Sequence, residues 1–138
     1  MQDLEDPIIF SAYKSSGSPD SEGYMTQYTK FLTSYGNSFN LQTGIFKAPK
    51  SGVYEFSSST LFGGSHVHKM SVEKNSGSEL EFYVDTDQVE TADDDNLSFD
   101  WFMELVEGDT VRLKETSGAF YCTSGGGCIF SGKFIREI

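Results

Sequence analysis

The stretch from Glu79 to Asp109 carries twelve acidic residues and no Lys or Arg, more than half of the 21 acids in the chain. Its densest part is Asp85-Thr86-Asp87 followed by Asp93-Asp94-Asp95. Carboxylates held this close repel one another unless a cation neutralises them. Calcium is the natural candidate, because it takes about six to eight oxygen ligands in flexible geometry. Asp85, Asp87, Asp93, Asp94 and Asp95 are therefore the candidate ligands. The spacing is not that of an EF-hand, whose Gly and terminal Glu are missing. The plainer reading of the same residues is a solvated acidic loop that keeps the protein soluble.

Cys122 and Cys128 enclose Thr123-Ser124-Gly125-Gly126-Gly127. Three glycines let so short a loop fold back. A local disulfide there would rigidify the loop and add little global stability, since the closed loop is short; two free thiols are the alternative. Tyr121 flanks this loop, and a rigid exposed loop bearing an aromatic loses little entropy on binding. Tyr121, Thr123 and Ser124 are the candidate ligand contacts, against the alternative that Tyr121 packs back onto the domain. His66 and His68 stand at i and i+2, on one side of a strand. Two imidazoles rarely hold a metal alone, so the expectation is a pair of surface histidines. Asn96-Leu97-Ser98 is an N-glycosylation acceptor sequence, or a chance occurrence of so short a motif. Arg112 alternates with Val111 and Leu113 and should face outward, as isolated charges do on strands. No nucleophile elbow, His-Glu-x-x-His or phosphate-loop motif is present, so the reading is of a protein that is not an enzyme.

These residues need elements to position them, and the composition points to strands. Twelve Phe, seven Tyr and fourteen Gly in 138 residues favour strands and tight turns over helices. The length fits one domain, read as a disordered segment at residues 1–6 and a globular domain at 7–138. Short strands are expected at Ile8–Tyr13, Thr26–Ser34, Val53–Phe62, Val67–Lys74, Glu79–Val84, Thr110–Glu115 and Ile129–Ile138. Leu97, Phe99, Trp101, Met103 and Leu105 alternate without a break and give one core face. Two packed antiparallel sheets follow. The net charge of −11 repels phosphate backbones, so nucleic acid is excluded as a partner. No apolar run reaches membrane-spanning length. The first six residues lack the basic start and apolar stretch of a secretory signal, which reads as either a mature chain or a cytosolic one.

One run carries more than composition. Phe39-Asn40-Leu41-Gln42-Thr43-Gly44-Ile45-Phe46-Lys47-Ala48-Pro49-Lys50-Ser51-Gly52-Val53-Tyr54-Glu55-Phe56 reads as two very short strands and the start of a longer one, punctuated at Gly44 and Pro49–Gly52. Together with Phe10-Ser11-Ala12, Gly108-Asp109 and Phe130-Ser131-Gly132-Lys133-Phe134, it resembles the complement C1q globular-head family of the C1q/tumour necrosis factor superfamily. The resemblance spans Ile8 to Ile138. It implies a ten-strand antiparallel jelly roll, secreted and extracellular, that assembles as a homotrimer and recognises glycans, microbial surface components or protein receptors. It favours the disulfide over free thiols, and the mature chain over the cytosolic one. Some members bind calcium near the trimer apex through Asp residues of the loop matching Asp85 to Asp95. No collagen-like Gly-x-y stretch precedes the domain, and lone C1q-like domains resemble lectin-like innate-immune sets. The alternative is an acidic calcium-binding structural protein of an extracellular or mineralising matrix.

Overall fold

The computed structural model describes residues 7–64, 67–85, 95–123 and 127–138. These form a jelly-roll sandwich of two antiparallel sheets, without helix. The strands are β1 (Ile9–Lys14), β2 (Lys30–Tyr35), β3 (Phe39–Asn40), β4 (Ile45–Lys47), β5 (Gly52–Phe62), β6 (Val67–Lys74), β7 (Gly77–Asp85), β8 (Asp95–Leu105), β9 (Thr110–Ser117), β10 (Phe120–Tyr121) and β11 (Cys128–Arg136). The first sheet joins β8 to one edge of β5 and, on its other edge, β11 followed by β1 and β2; β10 continues along that second edge. The second sheet runs β3-β4-β9-β6-β7. Eleven strands replace the ten expected. The two-residue β10 is too short to show any alternation.

Period-2 patterning does most of the folding. Gly52, Tyr54, Phe56, Ser58, Thr60 and Phe62 of β5 are all buried on one face. The expected core face of β8 holds: Phe99, Trp101 and Leu105 are buried, and Leu97 and Met103 pack against the cluster. Phe56 lies at the centre of an aromatic layer, stacked on Trp101 with centroids 5.5 Å apart and edge-on to Phe46 at 5.1 Å.

The family-like run is explained residue by residue. The side-chain oxygen of Asn40 accepts the backbone N–H groups of Gln42 and Thr43 at 2.9 and 3.0 Å, closing the β3–β4 turn. Gly44 sits at φ +73°, and a Cβ there would strike the Met25 carbonyl, so only Gly fits. Tyr54 is fully buried, yet its hydroxyl donates to the Lys50 carbonyl at 2.6 Å and ties the Pro49 turn to the strand that follows it.

The expected strand at Thr26–Ser34 begins only at Lys30. Gln27 takes φ +57°, which interrupts extended backbone. The preceding segment runs instead beside β9: Met25 N–H donates to Leu113 O at 3.0 Å, and Glu115 N–H donates to Gly23 O at 2.7 Å. Met25 and Tyr28 thereby enter the core. At one end of the sandwich Asp109 closes the β8–β9 turn, accepting from Asn75 Nδ2 and Val106 N–H at 2.9 Å each, with Lys74 Nζ 3.9 Å away.

Phe56→Ala should lower the unfolding free energy by about 3–5 kcal/mol, read by denaturant titration. Trp101→Phe should cost less, on the order of 1–2 kcal/mol, because the buried Nε1 has no hydrogen-bond partner among the described residues. The Asn75 amide, then the Val106 N–H and Lys74, hold the Asp109 carboxyl below the usual carboxylate range. Its contribution is complete above that range and is lost as the pH falls through the depressed folded-state value. Melting temperature followed against pH should therefore show a shallower acid decline in Asp109→Asn than in the wild type.

Candidate recognition site at the loop end of the sandwich

Strand direction alone gathers the candidate residues. β5, β7, β9 and β1 all run toward one end, and β6, β8 and β11 start from it, as the pairs Phe62↔Asp95, Val67↔Asp85 and Lys14↔Cys128 show. Asp85, the last residue of β7, and Asp95, the first of β8, are both exposed there. They belong to strands of different sheets, β7 and β8. Asp95 already accepts its neighbour's Asn96 N–H at 2.7 Å. Asp87, Asp93 and Asp94 lie outside the described residues. Among the described residues no three His, Cys, Asp or Glu side chains converge on one point. Two carboxylates offer at most four oxygens, fewer than the roughly six to eight that calcium takes.

The stem of the cysteine loop lies at the same end. Cys122 and Cys128 form a disulfide with Cα atoms 5.4 Å apart, and both are buried. Gly17 N–H donates to Cys122 O at 3.1 Å and Cys122 N–H to Gly17 O at 2.7 Å, so the loop stem is also hydrogen-bonded to the β1–β2 connection. The Thr60 hydroxyl lies 3.2 Å from Cys128 Sγ. Beneath it Lys14 is buried, its ammonium donating to the carbonyls of Thr26 at 2.5 Å and Gln27 at 3.3 Å. Burial lowers its pKa from the ordinary lysine value.

Of the candidate ligand contacts, Thr123 is exposed; Tyr121 pairs with Leu61, is half-buried, and has its hydroxyl inside the protein. Ser124 lies outside the described residues. Asn96 is exposed on the outward face of β8, where its Oδ1 accepts from Ser98 Oγ at 2.6 Å and Ser59 Oγ at 3.1 Å. Arg112 faces outward as expected, and its guanidinium stacks 3.3 Å from the Tyr24 ring centroid.

His68 corrects an expectation. It is not a surface residue but fully buried at 0% exposure. On β6 it shares the core face with Met70 and Val72, and both ring nitrogens are satisfied, so a polar group is tolerated there. His66 lies outside the described residues.

Sequence reasoning also missed the outward face of the first sheet. Register aligns Thr33, Ser11, Ser131, Ser57 and Asp100 in one rung across five strands, with Ser11 and Ser131 hydroxyls 2.7 Å apart. Thr33, Ser11, Ser131 and Ser57 floor a shallow cleft of about 350 Å³. The neighbouring rung carries exposed Phe102 and Tyr35 at the two sheet edges, with a Lys133–Glu55 ion pair of 3.5 Å between them. Ser57 and Ser59, on either side of the inward Ser58, are the trace of this face in the sequence.

Comparison with known proteins gives the fold a name. The structure resembles the globular domain of zebrafish complement 1qA protein, at 18% identity over 95% of this chain and 99% of that one, with a TM-score of 0.72. It also resembles the Eiger TNF from S. frugiperda, at 12% identity over 97% of this chain and 96% of that one, with a TM-score of 0.71. No curated protein matches the chain by sequence. The family model of the C1q domain matches residues 9–135. With the jelly roll, the Gly44-to-Phe56 run and that match in agreement, the chain belongs to the C1q domain family.

Proposed function

We propose that this chain is a secreted ligand-recognition module, not an enzyme, which binds glycans or microbial surface patterns as a homotrimer. Family membership supports the coarse reading, since C1q and tumour necrosis factor-like domains are typically non-enzymatic ligand-binding modules, extracellular, and trimeric. The observation that carries the finer one is the gathering of the disulfide-tied loop, exposed Thr123 and the strand-end acids Asp85 and Asp95 at one end. A loop closed by a disulfide is preorganised, so binding costs it little entropy. Calcium held by Asp85, Asp95 and the acids between them in sequence would neutralise that end and connect it to anionic ligands.

The trimer reading draws on the outward face of the first sheet. Phe102 is 65% exposed and Tyr35 58%, on opposite edges of one rung. Large exposed aromatics are enriched in subunit faces, which is what this pair supplies. The second reading, an acidic matrix protein, draws on carboxylates spread along β7 and β8, where Glu79, Glu81, Asp100 and Glu104 are exposed. Calcium calorimetry separates the two: one tight stoichiometric site supports the recognition module, and many weak sites support the matrix protein.

Sedimentation should give three times the 15.3 kDa chain mass, and Phe102→Glu should give a monomer; a monomeric wild type with and without calcium overturns the trimer. Binding of labelled protein to an immobilised array of glycans and bacterial cell-wall polymers tests the ligand class. Thr123→Arg should weaken captured signals about tenfold without changing the sedimenting mass. Cys122→Ser/Cys128→Ser should weaken binding while leaving the melting temperature within a few degrees, because the closed loop is short. Capture that survives both variants unchanged removes the loop as the contact surface.

A further inference from the structure

The buried imidazole of His68 sits under the stem of the cysteine loop, and its hydrogen bonds identify its tautomer. Ala119 N–H donates to Nδ1 at 2.9 Å, so Nδ1 carries a lone pair. Nε2 lies 3.1 Å from the Gly64 carbonyl, to which it donates. The ring is held between Phe62 and Phe120, with centroids at 4.8 and 5.8 Å. The next amide along is held by a second titratable group: Phe120 N–H donates to Glu115 Oε1 at 2.7 Å. Two consecutive N–H groups of the stem are thus accepted by an imidazole nitrogen on β6 and a carboxylate on β9. Gly118, at φ +85°, abuts the imidazole so closely that a Cβ would strike it, so the turn and the ring are fitted to each other.

We propose that His68 and Glu115 form a proton-operated clamp on the Gly118–Cys122 stem, closed at neutral pH and opened when the imidazole takes up a second proton. The inference stands on this geometry and not on the ligand or the trimer. A proton added from solvent at Nδ1 sets that N–H against the Ala119 N–H, two donors face to face. The imidazolium charge attracts the Glu115 carboxylate, which leaves Phe120 N–H while the ring stays in place. Both amides are released in one step, while the disulfide keeps the loop itself closed. Imidazole is the side chain that ordinarily changes charge between about pH 5 and 8.

The surroundings are suited to such an exchange. Among the described residues, Glu115 is the ionisable group facing the ring. Phe62 of β5, Phe120 of β10 and Val84 of β7, the cross-strand neighbour, carry no charge. Lys69 of β6 and Glu81 and Asp85 of β7 alternate to the opposite face. Burial raises the Glu115 carboxyl above its usual value, with the Phe120 N–H and His68 opposing that shift.

Amide hydrogen exchange on the whole chain reads the clamp directly. Protection factors at Ala119 and Phe120, corrected for intrinsic rates, should fall about tenfold or more from about pH 7.5 to about pH 5.5, while Phe56 and Phe130 keep theirs. In His68→Gln, which cannot titrate, the fall should vanish. In Glu115→Gln, which keeps an oxygen to accept Phe120 N–H but carries no charge to be drawn to the imidazolium, the fall at Phe120 should shrink. Unchanged protection at Ala119 and Phe120 in the wild type overturns the clamp. So does a loss shared equally by Phe56 and Phe130, which would be general acid unfolding.

Discussion

Everything in this domain depends on β5 being paired along both edges for its whole length. Its eleven residues face β8 from Gly52↔Leu105 to Phe62↔Asp95, while β11 and β10 fill the other edge. A strand fixed in this way has no freedom of register, since a shift by one residue would turn Tyr54 and Phe56 outward. The aromatic layer that separates the sheets is built on those two rings and on Trp101 and Phe130. β5 also divides the molecule by role. Its inward face supplies the core, its outward serines floor the cleft, and its last residues carry the chain to the loop end.

The two ends of the sandwich are engineered differently by their polar groups. At one end Asp109, Asn75 and the Tyr54 hydroxyl lock the turns with hydrogen bonds to backbone and, between Asn75 and Asp109, to each other. At the other the connections are held by a disulfide, a buried lysine bound to carbonyls, and a histidine–glutamate pair. Asp109 makes the turn end responsive to acid, whereas the loop end also carries a disulfide, which responds to reductant. That difference is why the loop end, and not the turn end, draws the functional reading, even though both ends carry acidic residues.

Much of the fold was legible because β-structure writes itself in a period of two. The alternation Leu97-to-Leu105 located β8 and its buried face, and Val67–Lys74 was placed to the residue. The Asn40, Gly44 and Tyr54 positions were legible as a pattern before their geometry was known, since an Asx turn, a positive φ and a capped turn each admit few residues. What failed were elements with no period to read. β10 is two residues long, and the segment around Met25 pairs with β9 through backbone groups that leave no side-chain signature.

The sequence by itself determined the fold family and the strand alternation, because each rests on local spacing; it left the cysteines open between thiols and a disulfide, which the family resemblance favoured and the structure shows. It could not tell the two faces of β6 apart, since Val67, Lys69 and Ser71 alternate with His68, Met70 and Val72 without a clean polar side. Only the tertiary structure decided that His68 is interior. Burial there depends on Phe62, Phe120 and Ala119, which lie far along the chain or across a sheet and are brought together by register. The serine rung and the shared end of Asp85, Asp95 and Thr123 arise the same way. They are properties of which strands are neighbours, and long-range pairing is the one quantity a local pattern does not encode.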